Sequence, residues 1–341
     1  MISIAMATYN GQRFLEEQLR SLYEQTTLPD ELVVCDDSSS DRTPEILAQF
    51  AKRASFPVKI FTNGQKLGWR RNFLKAASLC TSEYIAFCDQ DDVWLKEKVT
   101  CVESYLKRNP CTLLQHGFRL IDEQGNVTSG DMDWERLELY EAPWRHSYGL
   151  TQVFHRSLLE FSDLWELSED HFDRGQHMGH DHWIRFLSSL RGPTLSIKEV
   201  LLHYRQHTNS VVGWWSPADK PKRDLISLAR TFSNKDFRKK KREELVAYME
   251  LMVAAASARQ TIAQKVAARV GTDNAPQVLE RIQFYSDYNK YHMARLSTYQ
   301  SPQFRQRLSA SLSMLRKGHY GARGKRGARD ALVDVLYGVM S

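Results

Sequence analysis

The sequence predicts an α/β protein with a mostly parallel central sheet, followed by a helical, basic C-terminal extension. Three observations carry this expectation. Apolar strand-like runs alternate with helix-period segments from the first residue, polar clusters follow three of those runs, and charge is divided unevenly along the chain. Ile2, Ile4 and Met6 mark a first strand, after which Phe14, Leu15, Leu19 and Leu22 recur at helical spacing. Glu31 to Cys35 is a second short apolar run. Thr43-Pro44 reads as an N-cap followed by proline at the first helical position, with Ile46, Leu47 and Phe50 facing inward. Val58 to Thr62 gives a third strand, and Phe73, Leu74 and Ala77 a third helix. Tyr84 to Cys88 is the fourth strand, and Val99, Val102 and Leu106 mark the helix after it. Such a β-α-β-α order argues for parallel strands covered on both faces. After Leu113 the pattern is mixed, Leu201 to Tyr204 is strand-like, and from Pro217 onward the chain reads as helical.

A length of 341 residues suits one large α/β domain, residues 1–215, with an appended extension, residues 216–341. The net charge of +6 conceals an asymmetry: the extension holds 24 Lys and Arg against 11 Asp and Glu. Its balance is +13 and that of the preceding part is −7, so the two parts are expected to meet different partners. Five cysteines, with no Cys-x-x-Cys pair, read as reduced core residues rather than a disulfide framework or a zinc site. No stretch approaches the ~20 apolar residues needed to span a bilayer, and Met1-Ile2-Ser3-Ile4 does not resemble a secretory leader. The expectation is a cytoplasmic protein. The basic extension lacks a nucleic-acid recognition motif, so no nucleic acid is expected as partner.

In parallel sheets ligands sit beyond the carboxyl ends of the strands, and Thr8-Tyr9-Asn10-Gly11, Asp36-Asp37-Ser38 and Asp89-Gln90-Asp91-Asp92 all fall there. Carboxylates crowded as in the last cluster repel one another unless a cation or hydrogen-bond donors compensate. A divalent metal that also holds phosphate would do so, because Mg²⁺ and Mn²⁺ take oxygen ligands and keep positions open. A helix cap, with Asp92 ahead of Val93-Trp94-Leu95, is the alternative. Asp36 to Asp41 can likewise be a self-capping turn, or supply an acceptor for the imide of a pyrimidine ring. His171, His177, His180 and His182 invite a zinc reading. Their spacing does not fit a helical His-x-x-x-His pair, so aromatic packing or acceptor contacts are the expectation. Trp214-Trp215 could stack on a sugar or pack between domains.

Ala7-Thr8-Tyr9-Asn10-Gly11, Asp36 to Asp41, Leu67-Gly68-Trp69-Arg70-Arg71-Asn72-Phe73 and Asp89-Gln90-Asp91-Asp92-Val93-Trp94 occur in the order and at the spacing of a known family. Together they resemble the inverting glycosyltransferases of family 2, with the GT-A (Rossmann-like) fold. Gly179-His180-Asp181 and Tyr204-Arg205-Gln206-His207 resemble the rhamnosyltransferase-like branch of bacterial polysaccharide enzymes. The resemblance covers residues 1–213 well and the extension weakly. It implies that Asp37 reads the nucleotide base with Thr8 and Tyr9 flanking the ring, and that Asn10, Asp36 and Arg71 lie at the nucleotide. It further implies Asp89 on the ribose side, Asp91 and His207 at a divalent metal (Mn²⁺ or Mg²⁺), and Asp181 as catalytic base. Ser38 stands where many members carry glycine, and His182 where the branch usually has tryptophan.

The function expected from the resemblance is transfer of a sugar from a nucleotide-sugar donor to a glycan or lipid-linked acceptor in cell-surface polysaccharide synthesis. L-Rhamnose from dTDP-L-rhamnose is the first donor, a UDP-hexose the second. A nucleotidyltransferase would need a glycine-rich phosphate loop and a lysine, where this chain has Thr-Tyr-Asn-Gly-Gln. A silent glycan-binding scaffold would not need both Asp91 and Asp181. The basic extension, with Leu308, Leu312 and Leu315 beside Arg305, Arg307, Arg316 and Lys317, reads as a peripheral contact for the inner face of an anionic membrane.

Overall fold

The computed structural model describes residues 1–132, 148–208, 235–271, 276–301 and 304–316, with residues 330, 331 and 334. The chain forms two compact units. One comprises Met1–Glu166, His177–Trp214 and Asp273–Val278; the other comprises Leu167–Gln176, Trp215–Thr272 and Leu279–Ser341. Residues 167–176 thus group with the C-terminal unit, although the sequence assigns them to the first domain.

The first unit is built on an eight-stranded sheet. Its strands are β1 (Ile2–Thr8), β2 (Glu31–Asp36), β3 (Val58–Thr62), β4 (Tyr84–Cys88), β5 (Val93–Trp94), β6 (Leu113–Ile121), β7 (Gln152–His155) and β8 (Thr194–Arg205). Their order is β3-β2-β1-β4-β7-β6-β8-β5. The four leading strands run parallel, as their alternation with helices requires. β7 then lies antiparallel to both β4 and β6, β8 runs parallel to β6, and β5 pairs antiparallel with β8. The sheet is therefore parallel in its first half and mixed in its second. β1, β2 and β4 are buried along their whole length, which explains their mostly apolar character.

Helices α1 (Leu15–Tyr23), α2 (Thr43–Arg53), α3 (Trp69–Ser78), α4 (Lys98–Arg108) and α5 (His180–Arg191) accompany the sheet. Their inward residues, among them Leu15, Leu19, Ile46, Leu47, Phe50, Val99 and Val102, join Ile4, Met6, Leu32, Val34 and Ala86 in one core. Thr43 is the first residue of α2 rather than its cap, and its hydroxyl accepts the Gly11 amide at 2.8 Å. Val93-Trp94 forms a strand, not the start of a helix, so Asp92 does not act as a helix cap.

In the second unit α6 (Lys235–Val270), α7 (Pro276–Gln300) and α8 (Phe304–Arg316) confirm a helical extension. Met249, Met252, Ile262 and Val266 are buried there with Tyr285, Tyr288, Tyr291 and Tyr299. Arg295 is buried in an ion cluster. It donates to Asp334 at 2.7 and 2.8 Å and lies 3.3 Å from Asp330, while Tyr299 donates to Asp334 and Tyr291 to Asp330. Four donors converging on two carboxylates offset the cost of burying this charge. Arg307 is likewise buried and donates to the Ser301 carbonyl, so it is not one of the surface cations expected on α8. The side chains of Leu308, Leu312, Leu315 and Arg316, and all of Lys317, Trp214 and Trp215, lie outside the described residues.

Glu31, at the start of β2, is buried and accepts hydrogen bonds from Ser3 and Thr81 and an ion pair from Lys59 at 2.6 Å. Burial works to raise its carboxyl, but these donors outweigh it and bring the pKa down to about 2. A carboxyl depressed from its usual 4.5 stabilises the fold above pH 4.5 and loses that contribution as pH falls toward 2. Glu31→Gln should therefore cost on the order of 2 kcal/mol at pH 7 and flatten the acid limb of a urea-melt pH profile. An unchanged acid limb would rule out this network as its source.

Candidate active site

The loops after β1, β2 and β4 meet at one edge of the sheet, and the end of β8 closes against them. β8 ends in Arg205, which is 1% exposed. Its backbone amide donates to Asp92 Oδ1 at 3.0 Å and its Nε to the Asp91 carbonyl at 2.9 Å. The two terminal nitrogens reach the Asp122 and Glu123 carbonyls and the Glu17 carboxylate. One planar guanidinium thereby ties the acidic loop to α1 and to the turn after β6. Two residues further on, His207 Nε2 lies 2.8 Å from Asp91 Oδ2, with side-chain exposures of 8% and 21%. These two residues, 116 positions apart in sequence, form a carboxylate–imidazole pair at the mouth of the site.

The acidic loop is electrostatically loaded. Burial, then the charges of Asp91 and Asp181, push the Asp89 carboxyl up to about 8. Burial also pushes Asp92 well above the ordinary carboxyl range, followed by the charges of Asp91 and Asp89, and its Oδ2 has no hydrogen-bond partner. Lys98 is buried nearby, donates to the Leu150 carbonyl at 3.1 Å and lies 3.6 Å over the Trp94 ring. Burial brings this ammonium down to about 7, against the opposing pull of Cys88, Asp92 and Asp89. A divalent cation fits such a donor set: carboxylate and imidazole ligands are preformed, and a bound cation would favour the ionised form of the carboxyls that burial and crowding disfavour.

Asp181 is the second residue of α5. Its Oδ1 accepts the His182 amide at 2.8 Å and its backbone carbonyl accepts Gln152 Nε2 at 3.0 Å, which fix its position. Its influence on Asp89 places it within electrostatic reach of the acidic loop.

On the donor-base side, Asp36 and Asp37 are both buried and spend their carboxylates locally. Asp36 accepts Thr8 Oγ1 at 2.8 Å, Ser39 Oγ at 2.6 Å and the Ser39 amide at 2.9 Å, a self-capped turn. Ser39 Oγ accepts the Asn10 amide, and Asn10 Oδ1 accepts the Ser40 amide, so the first and second loops are interlocked. Asp37 accepts Asn63 Nδ2 at 2.8 Å and the Leu67 and Gly68 amides at 2.7 and 2.8 Å. It thus closes the loop before α3, and of the roughly four acceptor sites of a carboxylate only one is left for an imide. Ser38, at the position where the resemblance calls for glycine, has φ 62° and donates to the Asn63 carbonyl at 2.8 Å. The hydrogen bond offsets a left-handed backbone that costs a non-glycine roughly 1 kcal/mol. Tyr9 is 41% exposed, with Lys66 Nζ 3.5 Å over its ring.

Arg71, which the resemblance places at the nucleotide, has a partner of its own. Its guanidinium forms a two-point ion pair with Glu166 at 2.7 and 2.9 Å and lies over the Trp165 ring. It is committed to the segment after β7. Three histidines of the run meet aromatic or charged neighbours. His180 stacks on Phe73 with centroids 4.0 Å apart, and burial lowers its pKa to about 4. His177 packs on Trp165 and lies 3.2 Å from Glu166, while His171 lies beside Phe172 and Arg259.

Arg205 and Lys98 are missing from the candidates that the sequence alone suggests. Arg205 stands in the Tyr204-Arg205-Gln206-His207 motif without a role of its own, and Lys98 reads only as a lysine on the inward stripe of α4, beside Val99 and Val102.

Residues 3–167 match the glycosyl transferase family 2 model, and this part of the chain is a family 2 glycosyltransferase domain. The dTDP-rhamnosyl transferase RfbG of Shigella flexneri is 39% identical over 100 residues, covering 28% of this chain and 34% of that protein. WfgD of Escherichia coli, a UDP-Glc:alpha-D-GlcNAc-diphosphoundecaprenol beta-1,3-glucosyltransferase, is 28% identical over 186 residues, covering 50% and 67%. The chain spans 60% of the length of the mycobacterial relatives that it matches at 25% identity. Staphylococcus aureus TarS 1-349, solved with UDP-GlcNAc, superposes with a TM-score of 0.53 over 86% of this chain and 91% of that one. Its 16% identity makes it a likeness of fold, which is the GT-A-like arrangement described above.

Removing the Arg205 side chain should strand several buried acceptors at once. Arg205→Met, which keeps the backbone amide on Asp92, is expected to destabilise the fold by about 3 kcal/mol in chemical denaturation, because the Asp91, Asp122 and Glu123 carbonyls and the Glu17 carboxylate lose their guanidinium donor. Arg205→Lys, which keeps the charge but not the planar fork, should fall between. A loss below ~1 kcal/mol for Arg205→Met would show that the loop does not depend on it.

Proposed function

We propose that this protein is an inverting glycosyltransferase acting on a nucleotide-sugar donor in cell-surface polysaccharide synthesis. The observation that carries the reading is the Asp91–His207 pair beside the acidic loop, with Asp181 in electrostatic reach, inside a family 2 domain. Asp91 and His207 would hold a divalent cation, Mn²⁺ or Mg²⁺, which when bound neutralises charge on the departing nucleoside diphosphate. Asp181 takes the proton of the acceptor hydroxyl as that oxygen attacks the anomeric carbon. A single displacement inverts the centre, so one base suffices. The His182 amide holds Asp181 Oδ1 and so orients the carboxylate for this work. Asp89 lies toward the ribose, Thr8, Asn10 and Asp36 shape the donor loop, and Tyr9 presents an exposed ring to the base. Asp37 retains one acceptor direction for a pyrimidine imide.

Similarity to RfbG supports dTDP-L-rhamnose as first donor, and similarity to WfgD supports a UDP-hexose as second and a lipid-linked or glycan acceptor. A thermal-shift panel tests the site. dTDP or UDP with Mn²⁺ should stabilise the protein more than GDP or ADP. Asp91→Ala should abolish the Mn²⁺-dependent part. Asp181→Asn should keep the shift and lose 10²–10⁴-fold in turnover, the usual contribution of proton transfer. Equal shifts from all four nucleotides would remove base reading, and near-normal turnover in Asp181→Asn would remove the base.

The extension would hold the enzyme against the cytoplasmic face of an anionic membrane, where a lipid-linked acceptor resides. Its +13 balance supports this, and among the described residues no helix is long and apolar enough to cross a membrane. Flotation with phosphatidylglycerol vesicles should be strong at low salt, fall with added salt and vanish for neutral vesicles. A chain that stays with the soluble fraction at low salt would contradict membrane contact.

A further inference from the structure

Gln90, between Asp89 and Asp91, is used by none of the steps above, yet its side chain is doubly engaged. Its Oε1 accepts the Tyr9 amide at 2.9 Å and its Nε2 donates to the Tyr9 carbonyl at 3.2 Å. A primary amide that meets both backbone groups of one residue mimics a strand partner and fixes that residue's peptide planes. The contact joins the loop after β1 to the loop after β4, which no backbone pairing links beyond Met6 and Cys88.

Gly11 makes room for it. A methyl group at Gly11 would lie 2.3 Å from Gln90 Oε1 and 2.6 Å from its amide carbon, and the nearest atoms it would meet all belong to Gln90. Gly11 is buried, and its amide is already spent on Thr43. A side chain at position 11 would therefore displace the Gln90 amide, by close approach and not through backbone angles.

We propose that Gln90 is a positioning residue for donor binding. It brackets the Tyr9 backbone so that the exposed ring is set at a fixed offset from the carboxylates on either side of Gln90, one recognising the nucleoside half and the other the diphosphate half of a nucleoside diphosphate-sugar. The proposal rests on the donor-site reading above. Asp89 and Asp91 flank the amide directly, so loosening it shifts Tyr9 relative to both, while Asp181, on α5, keeps its own supports.

The test is a double-mutant cycle on the full chain with Gln90→Ala, Gly11→Ala and the pair, using dTDP and UDP as probes in calorimetry, with donor KM and kcat alongside. Each single variant should weaken nucleoside diphosphate binding roughly tenfold, the scale of one or two lost hydrogen bonds, and raise donor KM with kcat changed less than about twofold. Once Gln90 is truncated the methyl at position 11 has space, so the pair should bind no more weakly than Gln90→Ala alone. Melting temperature should not follow this pattern if the role is positioning. Multiplied losses in the pair, or wild-type binding in either single variant, would overturn the bracket. If the wild-type chain binds neither probe, the donor-site reading itself falls and the bracket with it.

Discussion

The site depends on the buried guanidinium of Arg205. The Asp89–Asp92 loop must bring several carboxylates together at the end of a buried strand, and their mutual repulsion works against any fixed shape. Arg205 answers with its backbone amide on the Asp92 carboxylate and its Nε on the Asp91 carbonyl, while its terminal nitrogens anchor to α1 and the turn after β6. The same strand end delivers His207 to Asp91. A single residue at the end of β8 therefore both shapes the acidic loop and sets the distance of its imidazole partner. Lys98 adds a second buried amine behind the loop, and burial lowers its pKa against the pull of Cys88, Asp92 and Asp89. The crowded carboxyls at the end of β4 are raised in turn, and a divalent cation there would favour their ionised form.

A second network organises the donor side through neutral donors. Asp36 and Asp37 each spend a carboxylate on fixing a loop, one through Ser39 and Thr8, the other through Asn63, Leu67 and Gly68. Asn72 extends it, donating to the Cys35 carbonyl and accepting from Asn63. Polar groups engaged in this way preorganise the loops, so binding costs less ordering entropy. Specificity in this region is then set by what the frame leaves exposed: the Tyr9 ring and the few acceptor directions still open.

Much of this was legible in the sequence, for identifiable reasons. Strands β1, β2 and β4 and helices α1 to α4 announce themselves because buried strands are mostly apolar and their covering helices carry a 3.6-residue stripe, while the partly exposed β3 shows as a short run in the same alternation. The three polar clusters mark the ligand edge because the parallel half of the sheet puts every loop there. What pattern cannot express is commitment between distant residues. Nothing in the run around Arg71 shows that Glu166 takes its guanidinium, and nothing in Asp37 shows that two backbone amides and Asn63 consume most of its acceptors. Val93-Trp94 looked like a helix start because two apolar residues after an aspartate carry no periodicity. Its pairing with β8 is a long-range fact. The antiparallel insertion of β7 between β4 and β6 is of the same kind, since no local sequence signal marks it.

The most direct measurement is pulsed EPR on the full chain loaded with one equivalent of Mn²⁺ and dTDP. If Asp91 and His207 seat the cation against the diphosphate, the spectrum will contain both ¹⁴N modulation from an imidazole and ³¹P coupling, and the nitrogen signal alone will disappear in His207→Ala. Bound Mn²⁺ with no nitrogen coupling, or a nitrogen coupling that survives His207→Ala, would contradict the seat that Arg205 and the acidic loop are held to build.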